Sequence, residues 1–227
     1  MNKQKAIYNL DTVIKKIEFS RLQVSDHHIV QLVAVSKYST AQDIEVLYQA
    51  GQRAFGENKV QDLKQKQEEL EDLPIAWHFI GSLQKNKINN LIDLNPTLMH
   101  SLDSLDLAQE LDKKLKAKNK TMNCLLQINS AYEDTKSGVD PKDAVAVFNE
   151  IKEKYTNIIL KGVMSIGAHS EDEKSIEDSF KTTKNIFDKS CDKNTQICSM
   201  GMSSDFETAI LNGSNMIRVG SALFSQS

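Results

Sequence analysis

Short apolar, β-branched runs alternate along this chain with longer amphipathic ones, and the alternation predicts the architecture. Val30-Gln31-Leu32-Val33-Ala34-Val35-Ser36 reads as a buried strand. Residues 41–50 read as a helix that stops at Gly51. Arg53-Ala54-Phe55-Gly56 is a second strand, followed by a polar helix over 58–72 that Pro74 breaks. Ala76-Trp77-His78-Phe79-Ile80 is a third strand, closed by Gly81, and 84–94 is helical. Thr97-Leu98-Met99-His100-Ser101 is a fourth, with a helix over 104–118. A fifth runs over 122–128, and Pro141, a residue suited to a first helical turn, opens a helix to about 155. Strand six covers 158–164 and a long helix 171–189. Gln196-Ile197-Cys198-Ser199 is the seventh strand, 204–212 a short helix ending at Gly213, and Met216-Ile217-Arg218-Val219 the eighth strand.

Repeated strand–helix units imply a parallel sheet. Eight of them, with an extra N-terminal helix over 3–19, predict an α/β fold: a single (β/α)8 TIM barrel at the small end of its usual size. An open doubly wound sheet is the rival that the same count permits. With no linker, low-complexity run or internal repeat, residues 1–227 read as one domain.

Composition narrows the function classes. The chain is 40% apolar and 26% charged with a net charge of -3, so it carries no general basic footprint for nucleic acid. Its lysines are scattered among acids along the helical segments and read as a solvated surface. Three cysteines (Cys124, Cys191, Cys198), odd in number and without a CxxC pair, speak for reduced thiols rather than disulfides or structural zinc. The histidines His27, His28, His78, His100 and His169 form no HxxxH pair, so no metal site is expected. The N-terminus lacks an apolar signal core and no run is long enough for a membrane span, which leaves the cytoplasm as the expected location.

A barrel of this kind carries its site on the C-terminal face, where strands end and loops begin. Lys37, Asn58, His78, Ser165, Ser203, Ser204, Arg218, Gly220 and Ser221 are the polar or loop-forming residues near those ends. Lys37 follows directly on an apolar run. It either marks a strand end or holds an amine at the barrel mouth, where partial desolvation favours the neutral nucleophile that attacks an aldehyde. In Ser199-Met200-Gly201-Met202-Ser203-Ser204-Asp205, Gly201 permits tight backbone approach and Ser204 with Glu207 fits a capping box. Serine hydroxyls and amides there could hold a phosphate, and Gly220-Ser221 after the last strand strengthens that reading, because barrels frequently bind phosphate with the loops after strands seven and eight. Arg218 lies inside an apolar strand. It needs a partner there: a salt bridge within the barrel, or an acceptor on a ligand such as a pyridine nitrogen.

These residues resemble the pyridoxal 5'-phosphate (PLP) homeostasis proteins, the YggS/PROSC family. The matching stretches are Ala34-Val35-Ser36-Lys37, Phe55-Gly56-Glu57-Asn58 with Val60-Gln61, Trp77-His78-Phe79-Ile80-Gly81 with Leu83-Gln84 and Asn86-Lys87, Lys136-Ser137-Gly138-Val139, Gly201-Met202-Ser203 with Asp205, and Gly213-Ser214 running into Arg218-Val219-Gly220-Ser221-Ala222-Leu223-Phe224. Together they span nearly the whole chain, from Val30 to Phe224. The resemblance implies a barrel like the alanine racemase N-terminal domain, with PLP, the vitamin B6 cofactor, held as a Schiff base on Lys37. It implies that Ser203, Gly220 and Ser221 hold the phosphate, that Arg218 faces the pyridine nitrogen, and that Asn58 and Met202 line the pocket. His78 falls in a family motif without an implied role at the cofactor. The family often has proline where Ser82 stands, and Met164-Ser165-Ile166-Gly167-Ala168-His169 is looser than the family pattern.

An arginine at the ring nitrogen favours the unprotonated ring, whereas transaminase-like chemistry uses the protonated electron sink. Racemisation in the related fold also draws a second acid/base from a further domain, for which a chain stopping at Ser227 leaves no room. The expected role is therefore non-enzymatic: storage, delivery and regulation of PLP supply, as a monomer or weak dimer, with apo-PLP enzymes as recipients. The alternatives are a PLP-dependent amino-acid racemase or decarboxylase, a PLP-independent phosphate-binding barrel enzyme, and an interaction module using the helices over 59–72 and 171–189.

Overall fold

The computed structural model describes residues 1–132, 137–168, 170, 172–190 and 192–225. Lys136, His169, Cys191, Ser227 and the first residue of the helix predicted over 171–189 lie outside the described residues. The strands are β1 (Gln31–Val35), β2 (Ala54–Glu57), β3 (Ala76–Phe79), β4 (Leu98–Leu102), β5 (Met122–Ile128), β6 (Ile158–Ser165), β7 (Ile197–Ser199) and β8 (Met216–Val219). They pair in parallel in chain order, and β1 closes on β8 through Gln31↔Met216 to Ala34↔Val219. That last pairing removes both sheet edges and excludes the doubly wound alternative.

The helices α1 (Lys3–Val24), α2 (Ala41–Gln49), α3 (Val60–Glu69), α4 (Ile88–Leu94), α5 (Leu105–Ala117), α6 (Ala144–Lys154), α7 (Glu173–Ser190), α8 (Phe206–Leu211) and α9 (Ser221–Phe224) surround the strands. Strands covered on one side by helices and on the other by the barrel interior must be apolar on both faces. Two cores result. One lies between strands and helices and contains Phe55, Phe79, Phe148 and Phe180, all essentially without solvent exposure. The other fills the barrel, with Val33, Leu98, Leu125, Met164 and Met216. α1 packs by Ala6, Leu10, Val13 and Ile17, and Asn9 donates to the carbonyls of Leu223 and Ser225 at 3.0 and 3.1 Å, so this leading helix fastens the chain's last described turn.

Three local expectations are corrected. α6 begins at Ala144, because Asp140 accepts from the Lys142 N–H at 3.0 Å and places Pro141 in a turn ahead of the helix. The capping box predicted for Ser204 and Glu207 does not form. α8 starts one turn position later, Asp205 turns its carboxylate back to the Met202 N–H at 2.6 Å, and Glu207 pairs with Lys16 of α1 at 2.7 Å. Finally, Lys66 does not belong to the solvated surface: it is 9% exposed and lies 2.7 Å from Glu57, which is fully buried.

Candidate cofactor site

A cleft of about 920 Å³ opens on the C-terminal face of the barrel. Its walls come from the ends of β1, β2, β3, β6, β7 and β8. The seven residues that the resemblance assigns to the cofactor, Lys37, Asn58, Met202, Ser203, Arg218, Gly220 and Ser221, all line the cleft, as does Ser204; the candidates His78 and Ser165 do not. The volume is that of a small-molecule site.

Lys37 stands two residues past Val35, the end of β1, and is half-buried. Its Nζ lies 5.0 Å from the centre of the Tyr38 ring, a side chain that is 90% exposed at the mouth. Asn58 follows β2 and is wedged against Gly81: a Cβ at 81 would sit 1.9 Å from the Asn58 carbonyl oxygen. Only glycine allows the loops after β2 and β3 to approach this closely.

On the same cleft as Lys37, the loops after β7 and β8 are tied together. Gly220 N–H donates to Ser203 Oγ at 3.1 Å. Gly201, at φ 95°, presses against Phe206 and Ala209 of α8, where a Cβ would meet the Ala209 Cβ at 2.7 Å, and this turns Met202 and Ser203 toward the opening. Hydroxyls and amides of two loops thus converge on one rim.

Arg218 is buried in β8, and its guanidinium donates to Ser199 Oγ at 2.7 Å and to the Ser165 carbonyl at 2.8 Å. Serine and backbone oxygens therefore take the place of the carboxylate partner that one reading anticipates, although the Asp205 charge acts on it from further off. Burial lowers its pKa from 12.5 to about 10, with Asp205 opposing, so it remains a cation at neutral pH. Ser165 is a brace rather than a wall residue: its hydroxyl accepts from Thr183 of α7 at 2.8 Å while its carbonyl holds Arg218.

His78 turns into the barrel instead of the cleft. Its Nδ1 lies 2.8 Å from His100 Nε2, and both rings are buried. Desolvation lowers the His78 pKa from 6.5 to about 4, and burial, His78 and Arg218 together push His100 well below its ordinary value. The fold thus refuses protons that the unfolded chain accepts below about pH 6.5. His78 should cost about 3 kcal/mol of stability as pH falls from 6.5 through 4, with none lost above 6.5. Denaturant titrations at pH 7 and pH 4.5 should show this slope, and the double substitution His78→Leu with His100→Leu should flatten it.

The structure also supplies wall residues that the sequence did not mark. Tyr38 and Ser39 come from the turn after β1 and Asp43 from the first turn of α2; Ser82, Ile166, Phe224 and Ser225 complete the enclosure. Their sequence signal is position: each falls in the loop or first helical turns that follow a strand. Among the described residues, no group of three or more histidine, cysteine, aspartate or glutamate side chains could hold a metal ion. Among the same residues, no helix is long and apolar enough to cross a membrane.

Residues 9–227 match the family described as "Alanine racemase, N-terminal domain". The chain is 54% identical over 217 residues to the pyridoxal phosphate homeostasis protein of Helicobacter pylori (strain ATCC 700392 / 26695), covering 96% of this chain and 97% of that one. PipY of Synechococcus elongatus PCC7942, solved with PLP bound, superposes with a TM-score of 0.82 at 31% identity, covering 97% of this chain and all of that one. Alanine racemase from Corynebacterium glutamicum shares the fold alone, with a TM-score of 0.75 at 15% identity, and this chain spans 61% of it. A closed eight-stranded barrel, a lysine at its mouth and this degree of identity lead to one assignment: the chain belongs to the pyridoxal phosphate homeostasis protein family, built on the alanine racemase N-terminal barrel.

Proposed function

We propose that this chain binds PLP through Lys37 and acts in PLP homeostasis, storing, delivering or regulating the cofactor. The observation that carries the reading is the convergence on one cleft of an amine, a hydroxyl- and amide-bearing rim and a buried cation. PLP, when bound, supplies an aldehyde that condenses with a primary amine. Lys37 would present that amine. Ser203, Gly220 and Ser221 would hold the phosphate, Arg218 would face the ring nitrogen, and Asn58 and Met202 would wall the pocket. The residues fit the group, because a dianionic phosphate needs several donors, and the rim offers hydroxyls and loop amides without a carboxylate among these three residues. Arg218, fixed by two acceptors and still charged, would keep the ring nitrogen unprotonated and so restrain electron-sink chemistry.

We read residues 1–227 as one such domain, located in the cytoplasm. Two of its cysteines, Cys124 and Cys198, are buried thiols in keeping with a reducing compartment. Apo-PLP enzymes are the proposed recipients, and the chain is proposed to work as a monomer or weak dimer.

The test is to add PLP, reduce with borohydride and map the modified peptide. Modification at Lys37 with a yellow protein beforehand is expected. A protein that stays colourless would redirect the assignment to a phosphate-binding barrel enzyme without PLP, and steady turnover of an amino acid would redirect it to a racemase or decarboxylase. Ser203→Ala should weaken PLP about tenfold, by removing one phosphate donor and freeing the Gly220 N–H, and should leave pyridoxal, which lacks the phosphate, unaffected. Equal losses for both ligands would place Ser203 away from the phosphate.

A further inference from the structure

Ser36, one residue before Lys37, is fully buried and held at every polar atom. Its N–H donates to the Gly56 carbonyl at 3.0 Å, and its hydroxyl donates to Glu57 Oε1 at 2.5 Å. Its carbonyl accepts from Lys66 Nζ at 2.8 Å, and the same ammonium lies 2.7 Å from Glu57 Oε1. The ends of β1 and β2 and the middle of α3 therefore meet at one point. None of Ser36, Glu57 and Lys66 lines the cleft.

Burying an ion pair is not in general a gain in stability over apolar packing, so its presence asks for another reason. The geometry supplies one. Ser36 Oγ and Lys66 Nζ both donate to Oε1 and Lys66 also reaches the Ser36 carbonyl, while the buried Glu57 Oε2 has no hydrogen-bond partner among the described residues. A pair arranged for its own satisfaction would use both oxygens. This one is centred on Ser36. A trans peptide is planar, so the Ser36 carbonyl shares a plane with the Lys37 nitrogen and the Lys37 Cα. Holding that carbonyl holds the base from which the Lys37 side chain projects.

We propose that Glu57 and Lys66 are positioning residues for the Lys37 amine, setting through Ser36 the direction in which it meets an aldehyde. The inference rests on the reading of Lys37 given above. In the step concerned, the Lys37 nitrogen forms a double bond to the aldehyde carbon, and the carbonyl oxygen leaves as water with the two hydrogens of the neutral amine. A misdirected amine lowers the yield of that linkage without altering the phosphate rim.

The test uses the full chain with two probes: pyridoxal, which lacks a phosphate, and inorganic phosphate, which lacks an aldehyde. Linkage to pyridoxal is read by absorbance and by borohydride trapping at Lys37, and phosphate binding by calorimetry. The double substitution Glu57→Gln with Lys66→Met avoids stranding one buried charge. It should lower the pyridoxal linkage constant about tenfold, the scale of one charge-assisted hydrogen bond, and leave phosphate binding within about twofold. Should that variant fail to fold, Ser36→Ala keeps the ion pair and removes only the hydroxyl contact; a loss of about threefold in linkage is expected, near the lower end for a single hydrogen bond. Unchanged linkage in the folded variants overturns the proposal, as does a parallel loss of linkage and phosphate binding, which would mark the pair as support for the whole cleft. A parent protein that links pyridoxal at Lys37, beside variants that link it equally well, overturns this inference alone. A parent that forms no linkage there overturns the reading of Lys37 and this inference with it.

Discussion

Replacing Lys37 by alanine is expected to abolish borohydride-trapped PLP at the cleft while leaving the fold intact. The side chain is half-buried and, among the described residues, makes no hydrogen bond or ion pair, only an approach to the exposed Tyr38 ring. Its removal should therefore change stability by no more than about 0.5 kcal/mol, as for most surface substitutions. The chemistry should respond very differently. Among the described residues no other lysine lines the cleft, and several are held in ion pairs elsewhere, such as Lys16 with Glu207 and Lys152 with Asp192. Only an amine inside the cleft would gain from a phosphate held in the same cleft, because anchoring would convert a bimolecular condensation into an effectively intramolecular one. Mass spectrometry after reduction should find the adduct on the parent and none at the site in the variant. An undiminished adduct on Lys37→Ala would remove the assignment.

Lys66→Met alone is expected to be the most destabilising of the substitutions considered, at about 3–5 kcal/mol, because it strands the fully buried Glu57 without its cation. A carboxylate buried there without its cation is left uncompensated, which is costly. Adding Glu57→Gln should recover most of the loss, since the pair is then replaced by neutral groups of similar volume. Denaturant midpoints for the two single variants and the double variant form a cycle whose interaction energy reads the coupling directly. If Lys66→Met and the double variant unfold together, the two side chains are not coupled and the buried pair has been misread. The pair sets the barrel's local geometry at the point where the chain enters the site, so the cost falls on folding as well as on the direction of Lys37.

Much of the architecture was legible before any coordinates. Eight apolar runs buried on both faces, each separated by an amphipathic stretch, admit few arrangements, and strand positions such as 122–128 and 216–219 coincide with β5 and β8 as folded. Candidate residues were legible for a related reason. In a barrel the C-terminal ends of all strands share one face, so polar residues placed just after strands must become neighbours whatever the loop details. Lys37, Ser203, Arg218 and Gly220 were found by that rule together with the family resemblance.

What the sequence could not decide was which polar groups pair across strands. Glu57 and Lys66 are nine residues apart, yet their contact depends on α3 laying its inner face over the end of β2. Lys66 in a run of glutamines and lysines carries no mark that separates it from its solvated neighbours. His78 and His100 meet only because β3 and β4 are adjacent with both rings turned inward. Arg218 found Ser199 and the Ser165 carbonyl through the β6–β7–β8 order rather than any spacing. The chain by itself determined the elements, their order and the face that carries the chemistry, because hydrophobic periodicity and strand polarity are local properties. Tertiary structure alone decided the closure of β1 on β8, the burial of the Glu57–Lys66 pair and the partners of Arg218, because each depends on where segments distant in sequence come to rest.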